Sequence, residues 1–546
     1  MLMQNKIFTS CLFLLGTLFL SGCGSSILNI GLAPVTQTIQ ESEIVEGLTY
    51  FKINIEAQSG FYTLSSPPLS RSEADKIIVQ LKAIKVGITN KLTSVQDNNV
   101  LTRITVSETD PDGFSLGELV QFGQYDSVIQ ARNIQKQLAE SGIKLAVLHT
   151  SLQANQGGVF EVSILKLESQ EYQGQVISAL GHNRIVNTEK TSKIAENNNA
   201  VAAVNAGFFV FEQKSGVVGE PAGIAVIDGQ LVSEAVNGRP ALLIKNNPRL
   251  SIDVLENVRT TLTMELNQRH YLLNGINREA GKIFNCGQQD EPQSVKAVHD
   301  YLCDSTNEII VYNHLFGDLS VLPLMNGFSF FVNENNRVYG IGETLNNKVP
   351  KGHYFIRAIG NKALLLKGLV KNNARLTINF KVQSSDGILD LEKGMYVVNG
   401  GPTLLIDGKE NINVRSKEGW DIKEPLSGKS AVDDNDKIDN VYDHLKSRKQ
   451  FYYNWMVRRH PRTAVGITKN GDAYIVVIYG RDPKRSVGAS VTEMAKIMKS
   501  LNVDKAMNLD GGGSSIMIID GIQTGVPSDV KGERAVGDAI LFLPSK

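Results

Sequence analysis

Short apolar runs separated by glycine, asparagine and aspartate dominate the chain from Val159 onward. Such runs are typical of strands in a sheet-rich domain. They are Glu161–Leu167, Val201–Phe211, Gly223–Ile227, Ala241–Ile244, Ile309–Tyr312, Tyr396–Val398, Leu404–Ile406, Ala473–Ile478, Ser515–Ile519 and Ala539–Phe542. Two segments have helical spacing instead, Thr188–Asn198 and Ser490–Leu501. The pattern predicts an α+β fold in which strands outnumber helices.

A smaller unit precedes this region, over residues 46–157. It twice repeats the order strand, helix, strand, which predicts a small α+β module. The first copy is Leu48–Ile55, Ser70–Lys91 and Leu101–Val106, and the second is Leu119–Gly123, Ser127–Ser141 and Leu145–Thr150.

The N-terminus has the pattern of a secretory signal, residues 1–22. Lys6 precedes the apolar run Ile7–Leu20, which is short for a membrane span, and small residues precede Cys23. The ending Leu-Ser-Gly-Cys resembles a bacterial lipobox, which implies lipidation of Cys23 and a membrane-anchored lipoprotein of the cell envelope, facing the periplasm or the exterior. Residues 23–45 are polar and predict a tether. The alternative is an ordinary signal peptide with a chance cysteine.

Composition narrows the choice of partners. The 546 residues contain 56 Lys and Arg against 56 Asp and Glu. Proteins that bind nucleic acid usually carry a basic surface, so no nucleic-acid partner is expected. A hydrophobic content of 42% and a charged content of 21% are ordinary for a folded protein.

Four cysteines are present. Cys11 leaves with the signal and Cys23 takes lipid, so Cys286 and Cys303 remain in an oxidising compartment and predict a disulfide. The alternative is two free buried thiols. Without a Cys-x-x-Cys pair or a nearby histidine at ligand spacing, zinc is not expected.

The stretch with most chemical content is Met507–Ser515, in which Asp510 stands directly ahead of three glycines and two serines. Consecutive glycines are tolerated where the backbone adopts positive φ or approaches a ligand closely. We expect the N–H groups of Gly511–Gly513 to face an anion. The alternative is a tight turn between two elements.

Four further signatures combine glycine, asparagine and arginine. They are Asn205-Ala-Gly-Phe-Phe, Asn274-Gly-Ile-Asn-Arg278, Asn399-Gly-Gly-Pro-Thr403 and His460-Pro-Arg-Thr-Ala-Val-Gly466. Singly, each has an ordinary explanation, because Asn-Gly is a common hairpin turn and most arginines are solvated. Together they predict one assembled site.

In their order, these motifs and Gly488-Ala-Ser-Val-Thr-Glu-Met-Ala resemble the phosphodiester glycosidase family, over roughly Val159–Leu543. The resemblance implies a catalytic domain over residues 158–546 that hydrolyses the bond between an anomeric carbon and a phosphate. Such a reaction asks for an anion site and for carboxylates, which glycosidases usually supply in pairs.

Roles follow from this resemblance. The catalytic candidates are Asp510, Arg462, Asn205, Asn399, His460 and Glu220, with Glu493 as another choice for the second carboxylate. The substrate-binding candidates are Gly207, Gly400, Gly401, Thr403, Asn274, Arg278, Gly511, Gly512, Gly513 and Ser514. Asp510 is alternatively a ligand for calcium or magnesium.

Two other segments bear on the substrate. The small module at 46–157 resembles the sporulation-related repeat through Val120-Gln-Phe-Gly-Gln-Tyr-Asp-Ser and the following Ala131, Leu138 and Gly142. The resemblance implies contact with peptidoglycan; the alternative is an unrelated accessory module. The polar insertion 409–459 has the length of a lid. The leading hypothesis is an envelope-anchored hydrolase of a glycosyl phosphodiester in a surface or wall glycan. The alternatives are a glycan hydrolase or lyase that needs no phosphate, and a non-catalytic glycan-binding lipoprotein.

Overall fold

The computed structural model describes most of the chain beyond residue 35. The described residues are 36–56, 60–89, 100–107, 115–153, 157–236, 238–287, 299, 301–323, 326–342, 348–410, 412–420, 429–430 and 452–545. The predicted signal and the lipidation site Cys23 lie outside them. Within these ranges, no helix combines the length and the apolar composition that a membrane span requires.

Strands outnumber helices, which confirms the predicted α+β class. The helices are α1 Arg71–Thr89, α2 Val128–Glu140, α3 Thr191–Asn197, α4 Gly360–Leu369, α5 Ile412–Lys417 and α6 Val491–Ser500. The strands up to residue 272 are β1 Thr36–Val45, β2 Leu48–Glu56, β3 Tyr62–Ser65, β4 Leu101–Thr105, β5 Glu118–Tyr125, β6 Ala146–His149, β7 Phe160–Leu167, β8 Gln175–Leu180, β9 Glu189–Lys190, β10 Ala202–Asn205, β11 Ala225–Ile227, β12 Gln230–Ser233, β13 Ala241–Lys245, β14 Ser251–Leu255, β15 Arg259–Leu266 and β16 Arg269–Leu272. Those that follow are β17 Gly275–Ile276, β18 Lys282–Phe284, β19 Tyr301–Asp304, β20 Ile309–Tyr312, β21 Gly327–Val332, β22 Val338–Tyr339, β23 Tyr354–Ile359, β24 Leu376–Ser384, β25 Gly387–Leu389, β26 Met395–Asn399, β27 Thr403–Leu405, β28 Lys429–Ser430, β29 Arg462–Ile467, β30 Ala473–Ile478, β31 Lys505–Asn508, β32 Met517–Ile519, β33 Ile522–Gln523, β34 Ala535–Val536 and β35 Asp538–Leu543.

A seven-stranded sheet in the order β1-β2-β7-β30-β29-β31-β27 forms the centre of the large domain. Its strand β30 is apolar on both faces. Val476 and Ile478 belong to one buried cluster, and Ile475 and Val477 belong to another. A continuous apolar run of this kind is expected where both faces of a sheet are covered.

A second sheet, in the order β33-β32-β10-β35-β8, packs on one of these faces. Val204 of β10 and Phe542 of β35 share a core cluster with Val465 of β29. The segments that meet at this junction are the end of β10, the start of β29 and the loop after β31. Asn205, Arg462 and Asp510 stand at these points, so the packing of the two sheets brings the predicted site motifs together.

The described residues of the large domain form further sheets. Their orders are β12-β11-β26-β13-β14, β17-β20-β23-β21-β22, β16-β15-β24-β25, β18-β19-β28 and β34-β9. Helix α6 corresponds to the predicted helix at Ser490–Leu501. Its first residue is capped by Ser490, which forms a reciprocal capping box with Glu493.

The small module is a β-α-β-β-α-β unit made of β3, α1, β4, β5, α2 and β6. Its four strands are ordered β4-β5-β3-β6 and pair antiparallel, and both helices pack on one apolar core. The helices and the last three strands agree with the sequence pattern. Its resemblance to the sporulation-related repeat stays a prediction.

The first boundary of this module was wrong. Leu48–Glu56 pairs along its length with β7 of the central sheet, and Tyr62–Ser65 supplies the first strand of the module instead. The predicted tether was wrong in part for the same reason, because Thr36–Val45 pairs with β2. Alternation alone identifies a strand but does not say which sheet receives it.

The predicted insertion 409–459 lies largely outside the described residues. Its described ends are α5 with the following Trp420, and the turn Tyr453–Val457 that leads into β29. Both ends pack near the site: Trp420 is fully buried, and its ring stacks on that of Trp455 at 4.8 Å between centroids.

Candidate active site

A cavity of about 220 Å³ lies at the junction of the two sheets. Six of the predicted site residues line it: Asp510, Gly511, Gly512, Ser514, His460 and Arg462. Residues separated by about fifty positions in sequence therefore share one cavity, as the combined motifs predict.

Asp510 is positioned through its backbone. Its N–H donates to the carbonyl of Ala206 at 3.0 Å, and its own carbonyl accepts from Nδ2 of Asn205 at 2.7 Å. The carboxylate accepts from the N–H of Gly511 at 2.8 Å. Burial raises its pKa to about 6, although Ser514, Gly511 and Arg534 favour the ionised form. The Ser514 hydroxyl lies close to the carboxylate without meeting hydrogen-bond geometry.

Arg462 opens β29 and is 2% exposed. Its Nε donates to the carbonyl of Ala489 at 3.1 Å, and its Nη2 donates to the carbonyl of Trp455. Its guanidinium lies 4.9 Å from the centre of the Trp455 ring. Burial, and secondarily the charge of Arg481, lower its pKa to about 9. Among the described residues, the guanidinium forms hydrogen bonds only with carbonyls. An anion bound beside it would therefore strongly stabilise its buried charge.

His460 is a neutral imidazole at this site. Its Nε2 lies 2.6 Å from the carbonyl of Asn454, so this nitrogen carries the proton. Among the described residues, its Nδ1 has no hydrogen-bond partner. Burial, followed by the charges of Arg462 and Arg481, holds its pKa well below the usual range. At neutral pH His460 is therefore uncharged, so no imidazolium is present to act as a general acid.

The glycine loop differs from its predicted role. The N–H of Gly511 donates to Asp510, and that of Gly512 donates to the carbonyl of Pro461 at 2.9 Å, so neither is left for a phosphate. Gly512 has φ of +61°, and a Cβ there would lie 3.1 Å from Nη2 of Arg481. A Cβ at Gly513 would collide with Arg534 and Asp529. The glycines thus allow two arginines to close over the loop.

A second carboxylate lies behind Asp510. Asp538, the first residue of β35, accepts from the N–H of Gly207 at 2.9 Å through Oδ1. Its Oδ2 has no partner among the described residues, since the nearby Ser178 hydroxyl does not meet hydrogen-bond geometry. Burial, and secondarily the charge of Asp510, raise its pKa to about 7 against the Gly207 hydrogen bond. The sequence prediction did not include this acid, although Asp538 stands at the start of an apolar strand, as Arg462 does.

Comparisons with known proteins show which family part of the chain is similar to. Residues 326–543 match the family model described as phosphodiester glycosidase. This part of the chain is therefore similar to a phosphodiester glycosidase domain. A stretch of 68 residues is 37% identical to N-acetylglucosamine-1-phosphodiester alpha-N-acetylglucosaminidase of Bos taurus, and covers 12% of each chain. The match thus spans about an eighth of the length of that enzyme.

Two solved structures are similar in fold to most of this chain. One is a protein of Burkholderia pseudomallei K96243 described as exported, which is 27% identical with a TM-score of 0.79 over 94% of this chain and 98% of that chain. The other is a hypothetical protein from Synechocystis, 16% identical with a TM-score of 0.50 over 93% of this chain and 76% of that chain. The second likeness concerns the fold alone.

Asn205 and Asn399 lie beneath the cavity and bind protein groups, whereas the sequence predicts that they position a sugar. Oδ1 of Asn205 accepts from Oγ1 of Thr463 at 2.7 Å and from the N–H of Ile516 at 3.1 Å, so both ends of its amide are occupied. Asn399 binds both backbone groups of Phe208, at 2.9 and 3.2 Å. A Cβ at Gly207 would lie 2.5 Å from the Asn399 amide, which explains that glycine as a close approach.

Gly400, Gly401 and Thr403 also serve packing. Gly400 lies against Met507, and a Cβ at Gly401 would lie 2.8 Å from the Trp420 ring. The hydroxyl of Thr403 donates to the buried Glu418, and its N–H donates to the same carboxylate at 3.0 Å. These residues support the floor of the site and do not line the cavity.

The motif at Asn274–Arg278 lies elsewhere and was wrongly included in the site. Arg278 is buried between Glu234 and Glu308, with both nitrogen–oxygen distances 2.7 Å. Asn274 accepts from the N–H of Ile309 at 2.8 Å. Glu220 belongs to this cluster too, because the charge of Arg278 acts on it directly. These side chains form a structural ion cluster, so Glu220 is not the second carboxylate of the cavity.

Glu493 is also excluded from that role. Besides capping α6, it pairs with the fully buried Arg459 at 2.7 Å. By contrast, four groups that the sequence reasoning did not select line the cavity: Arg481, Arg534, Trp455 and His299. His299 packs against Trp420 at 4.5 Å and Trp455 at 5.0 Å between ring centres. No sequence motif marks these residues, since they reach the site only through tertiary packing.

The predicted disulfide is confirmed. Cys286 and Cys303 are bonded and lie 5.8 Å apart at their Cα atoms. The bond joins the ends of the hairpin β18 and β19, in which Phe284 pairs with Leu302. Because Phe284 lines the cavity, the disulfide fastens one wall of the site.

Proposed function

We propose that this protein hydrolyses the bond between the anomeric carbon of a sugar and a phosphodiester. The observation that carries the proposal is the placement of Asp510 and Arg462 in one cavity of a chain whose residues 326–543 match the phosphodiester glycosidase family. The bovine relative is named for this reaction on N-acetylglucosamine, which supports the bond type. The sugar here is left open.

Arg462 is the anion-binding group in this proposal. Its buried guanidinium has carbonyls on one side and the cavity on the other, so a phosphodiester oxygen would complete its hydrogen bonding. A charge-assisted bond in such an enclosed place is stronger than one at the surface. The guanidinium stacks on the Trp455 ring, which limits its movement and keeps it directed toward the cavity.

Asp510 is the carboxylate that acts at the anomeric carbon, either by attack or by stabilising the positive charge that develops there. The C–O bond breaks with its electrons leaving on the phosphate, and water supplies a hydroxyl to the sugar and a proton to the solution. A phosphate leaves without help from a strong acid. The uncharged state of His460 is consistent with this mechanism.

An aromatic wall would receive the sugar ring. Phe208, Phe209 and Trp455 line the cavity, and the Asn399 amide fixes the backbone of Phe208. Flat apolar rings with a few polar groups are usual in small-molecule sites. The donors and acceptors that select one sugar are left for experiment.

A divalent cation at Asp510, the alternative raised above, fits this donor set poorly. Arg462, Arg481 and Arg534 line the same cavity. Within the described ranges, no three of the residues His, Cys, Asp and Glu group in a way that could hold a metal. The proposed steps use the side chains of the chain itself.

We further propose that the protein acts in the bacterial cell envelope, on a surface or wall glycan, tethered by lipid at Cys23. The lipobox-like ending, the disulfide and the exported Burkholderia relative support export. Contact of the small module with peptidoglycan is part of the same proposal. Fractionation of cells tests it: wild type is expected in the membrane fraction, and Cys23→Ala in the soluble exported fraction. Recovery of wild type in the soluble fraction would contradict the anchor.

The reaction is tested with substrates that differ in the bond alone. Purified protein is incubated with a sugar joined at its anomeric carbon to methyl phosphate, and with the methyl glycoside of the same sugar. For at least one sugar in a panel, release of free sugar is expected from the phosphodiester only. Turnover of neutral glycosides alone would support a glycan hydrolase, and binding without turnover of either would support a glycan-binding protein.

A further inference from the structure

The cavity encloses only part of a glycosyl phosphodiester. Its volume, about 220 Å³, is below the roughly 300–1,000 Å³ of sites that enclose a drug-sized ligand. The proposed function assigns the sugar to the buried aromatic wall and the phosphate to Arg462. The alcohol on the other side of the phosphate therefore leaves through the mouth of the cavity, where the side chains of the mouth can select it.

An exposed aromatic ring stands at this mouth. Phe211 lines the cavity and is nevertheless 49% exposed. Among the described residues it is the only exposed phenylalanine. Single exposed apolar residues are common on protein surfaces, but an apolar surface continuous with a ligand cavity is typical of a binding site.

The loop 526–530 adds two further apolar side chains at the mouth. Its polar residues attach it to arginines that line the cavity: Asp529 contacts Arg534 at 2.7 Å, and the Ser528 hydroxyl accepts from Arg481 at 3.5 Å. Val526 and Val530 flank this attachment, and both are exposed, Val530 fully so. We call Phe211, Val526 and Val530 the apolar rim.

The charges at the cavity balance when one phosphodiester is bound. Arg462, Arg481 and Arg534 contribute three positive charges, and ionised Asp510 and Asp529 contribute two negative charges. Both lining histidines are uncharged, because burial holds their pKa well below the usual range. Among the described residues that line the cavity or form ion pairs with its lining side chains, no cation is left for a second anion. The part of the substrate at the mouth is therefore expected to be uncharged.

We propose that the apolar rim binds the alcohol part of the substrate, and that this alcohol is a hydrocarbon chain, as in a lipid. The inference rests on the proposed function, since it takes Arg462 as the phosphodiester site. Water replaces the phosphate at the anomeric carbon, so the products are the free sugar and the monophosphate of the lipid alcohol. Contact with the rim removes apolar surface of both partners from water. The proposed tether at Cys23 would hold the protein at a membrane, where such a substrate lies.

Three phosphodiesters without a sugar test this directly. They are dimethyl phosphate, methyl hexyl phosphate and methyl carboxypentyl phosphate, which has the same number of chain carbons as the hexyl diester and ends in a carboxylate. Ligand-observed NMR titration at one ionic strength is expected to show wild type binding the hexyl diester about tenfold more tightly than dimethyl phosphate, as burial of about two further methylene groups allows. The carboxypentyl diester should bind more weakly than the hexyl diester.

Variants of the rim separate binding from general stickiness of the surface. Phe211→Ser/Val526→Ser/Val530→Ser should lose the preference for the hexyl diester, whereas Phe211→Leu, which keeps an apolar side chain, should retain most of it. Leu364→Ser is the matched control, because Leu364 is 70% exposed on α4 and does not line the cavity. Its preference should equal that of wild type.

Three results would overturn the inference: equal affinities of wild type for the dimethyl and hexyl diesters, a preference that persists in the triple variant, or tightest binding of the carboxypentyl diester. A different result would count against the proposed function. If Arg462→Gln binds dimethyl phosphate as wild type does, or wild type binds none of the three diesters, Arg462 is not the anion site on which both proposals depend.

Discussion

Asp510 and Asp538 are two carboxylic acids held by one short segment. The N–H of Asp510 donates to the carbonyl of Ala206 at 3.0 Å, and the next residue, Gly207, donates its N–H to Asp538 at 2.9 Å. The charge of Asp510 acts on Asp538 and helps to raise its pKa. Two acids in such an arrangement ionise in sequence rather than together. Asp510 therefore makes activity depend on pH, and Asp538 makes stability depend on pH.

Activity is expected to rise as pH increases through about 6. Burial raises the pKa of Asp510 to about 6, and the proposed step needs its ionised form. The measurement is kcat/KM against pH on a glycosyl phosphodiester. A profile that falls as pH rises through 6 would mean that the protonated acid is the active form.

Asp538→Asn is expected to stabilise the protein at pH 8 and to leave its stability unchanged near pH 4. The folded-state pKa of Asp538, about 7, lies above that of an unfolded aspartate, so folding holds a proton there. Through Asp538, wild type therefore loses roughly 2–4 kcal/mol of stability as pH rises from about 4 to about 7, and the variant lacks this contribution. Asparagine keeps an oxygen acceptor for Gly207. Urea unfolding at both pH values measures the difference, and equal differences at the two would refute this account of Asp538.

Arg278 and Arg462 should respond oppositely to replacement by methionine. Arg278→Met leaves Glu234 and Glu308 buried without their cation, and should cost about 3–5 kcal/mol of stability while the folded fraction keeps its activity. Arg462→Met removes a buried charge that only carbonyls contact, and should not lower stability by more than about 1 kcal/mol while abolishing activity. Denaturant unfolding and kcat/KM of both variants test the contrast. Loss of activity without loss of stability in Arg278→Met would return that residue to the site.

Asn205→Ala should destabilise the protein and disturb Asp510 without touching the substrate. Its amide satisfies Thr463, Ile516 and Asp510, all within 3.1 Å, and removal leaves these buried groups unpaired. We expect a loss of about 2–4 kcal/mol. The exposed Asn335→Ala is the matched control. If Asn205→Ala unfolds at the same denaturant concentration as wild type, the amide has the sugar-binding role first predicted for it.

Loss of the disulfide should weaken both stability and the cavity wall. The bond spans a separation of 17 residues, and cross-links of this size contribute about 3 kcal/mol. Cys286→Ser/Cys303→Ser should lower the melting temperature and raise KM, because Phe284 lines the cavity from the hairpin that the bond closes. An unchanged KM would show that the hairpin holds its position without the bond.

The sequence predicted the strands, the helices and the central members of the cavity because those depend on local pattern. Apolar alternation located most strands, and polar residues at strand ends located Asp510 and Arg462. The sequence did not predict the features that depend on tertiary packing. The alternation of Leu48–Glu56 fits a strand of either sheet equally well. No local pattern shows that the amides of Asn205 and Asn399 form hydrogen bonds with backbone groups.

The same limit explains the glycine loop and the missing acid. Three glycines in a row predict close approach, but only the structure shows that the side chains of Arg481 and Arg534 lie against Gly512 and Gly513. Asp538 begins the last long strand, over 300 residues after Gly207, whose N–H it accepts. Contacts between residues so far apart in sequence cannot be predicted from the spacing of motifs.

The most direct measurement is the release of free sugar from a glycosyl phosphodiester by wild type and Asp510→Asn at pH 7. Wild type is expected to turn the substrate over, and the variant to lose activity by on the order of 10⁴-fold, as when a group that acts at the reacting atom is removed. Its fold should persist, since the bonds that position Asp510 involve its backbone. A folded Asp510→Asn protein that retains more than about a tenth of wild-type kcat/KM, one decade in rate, would contradict the central role of this carboxylate.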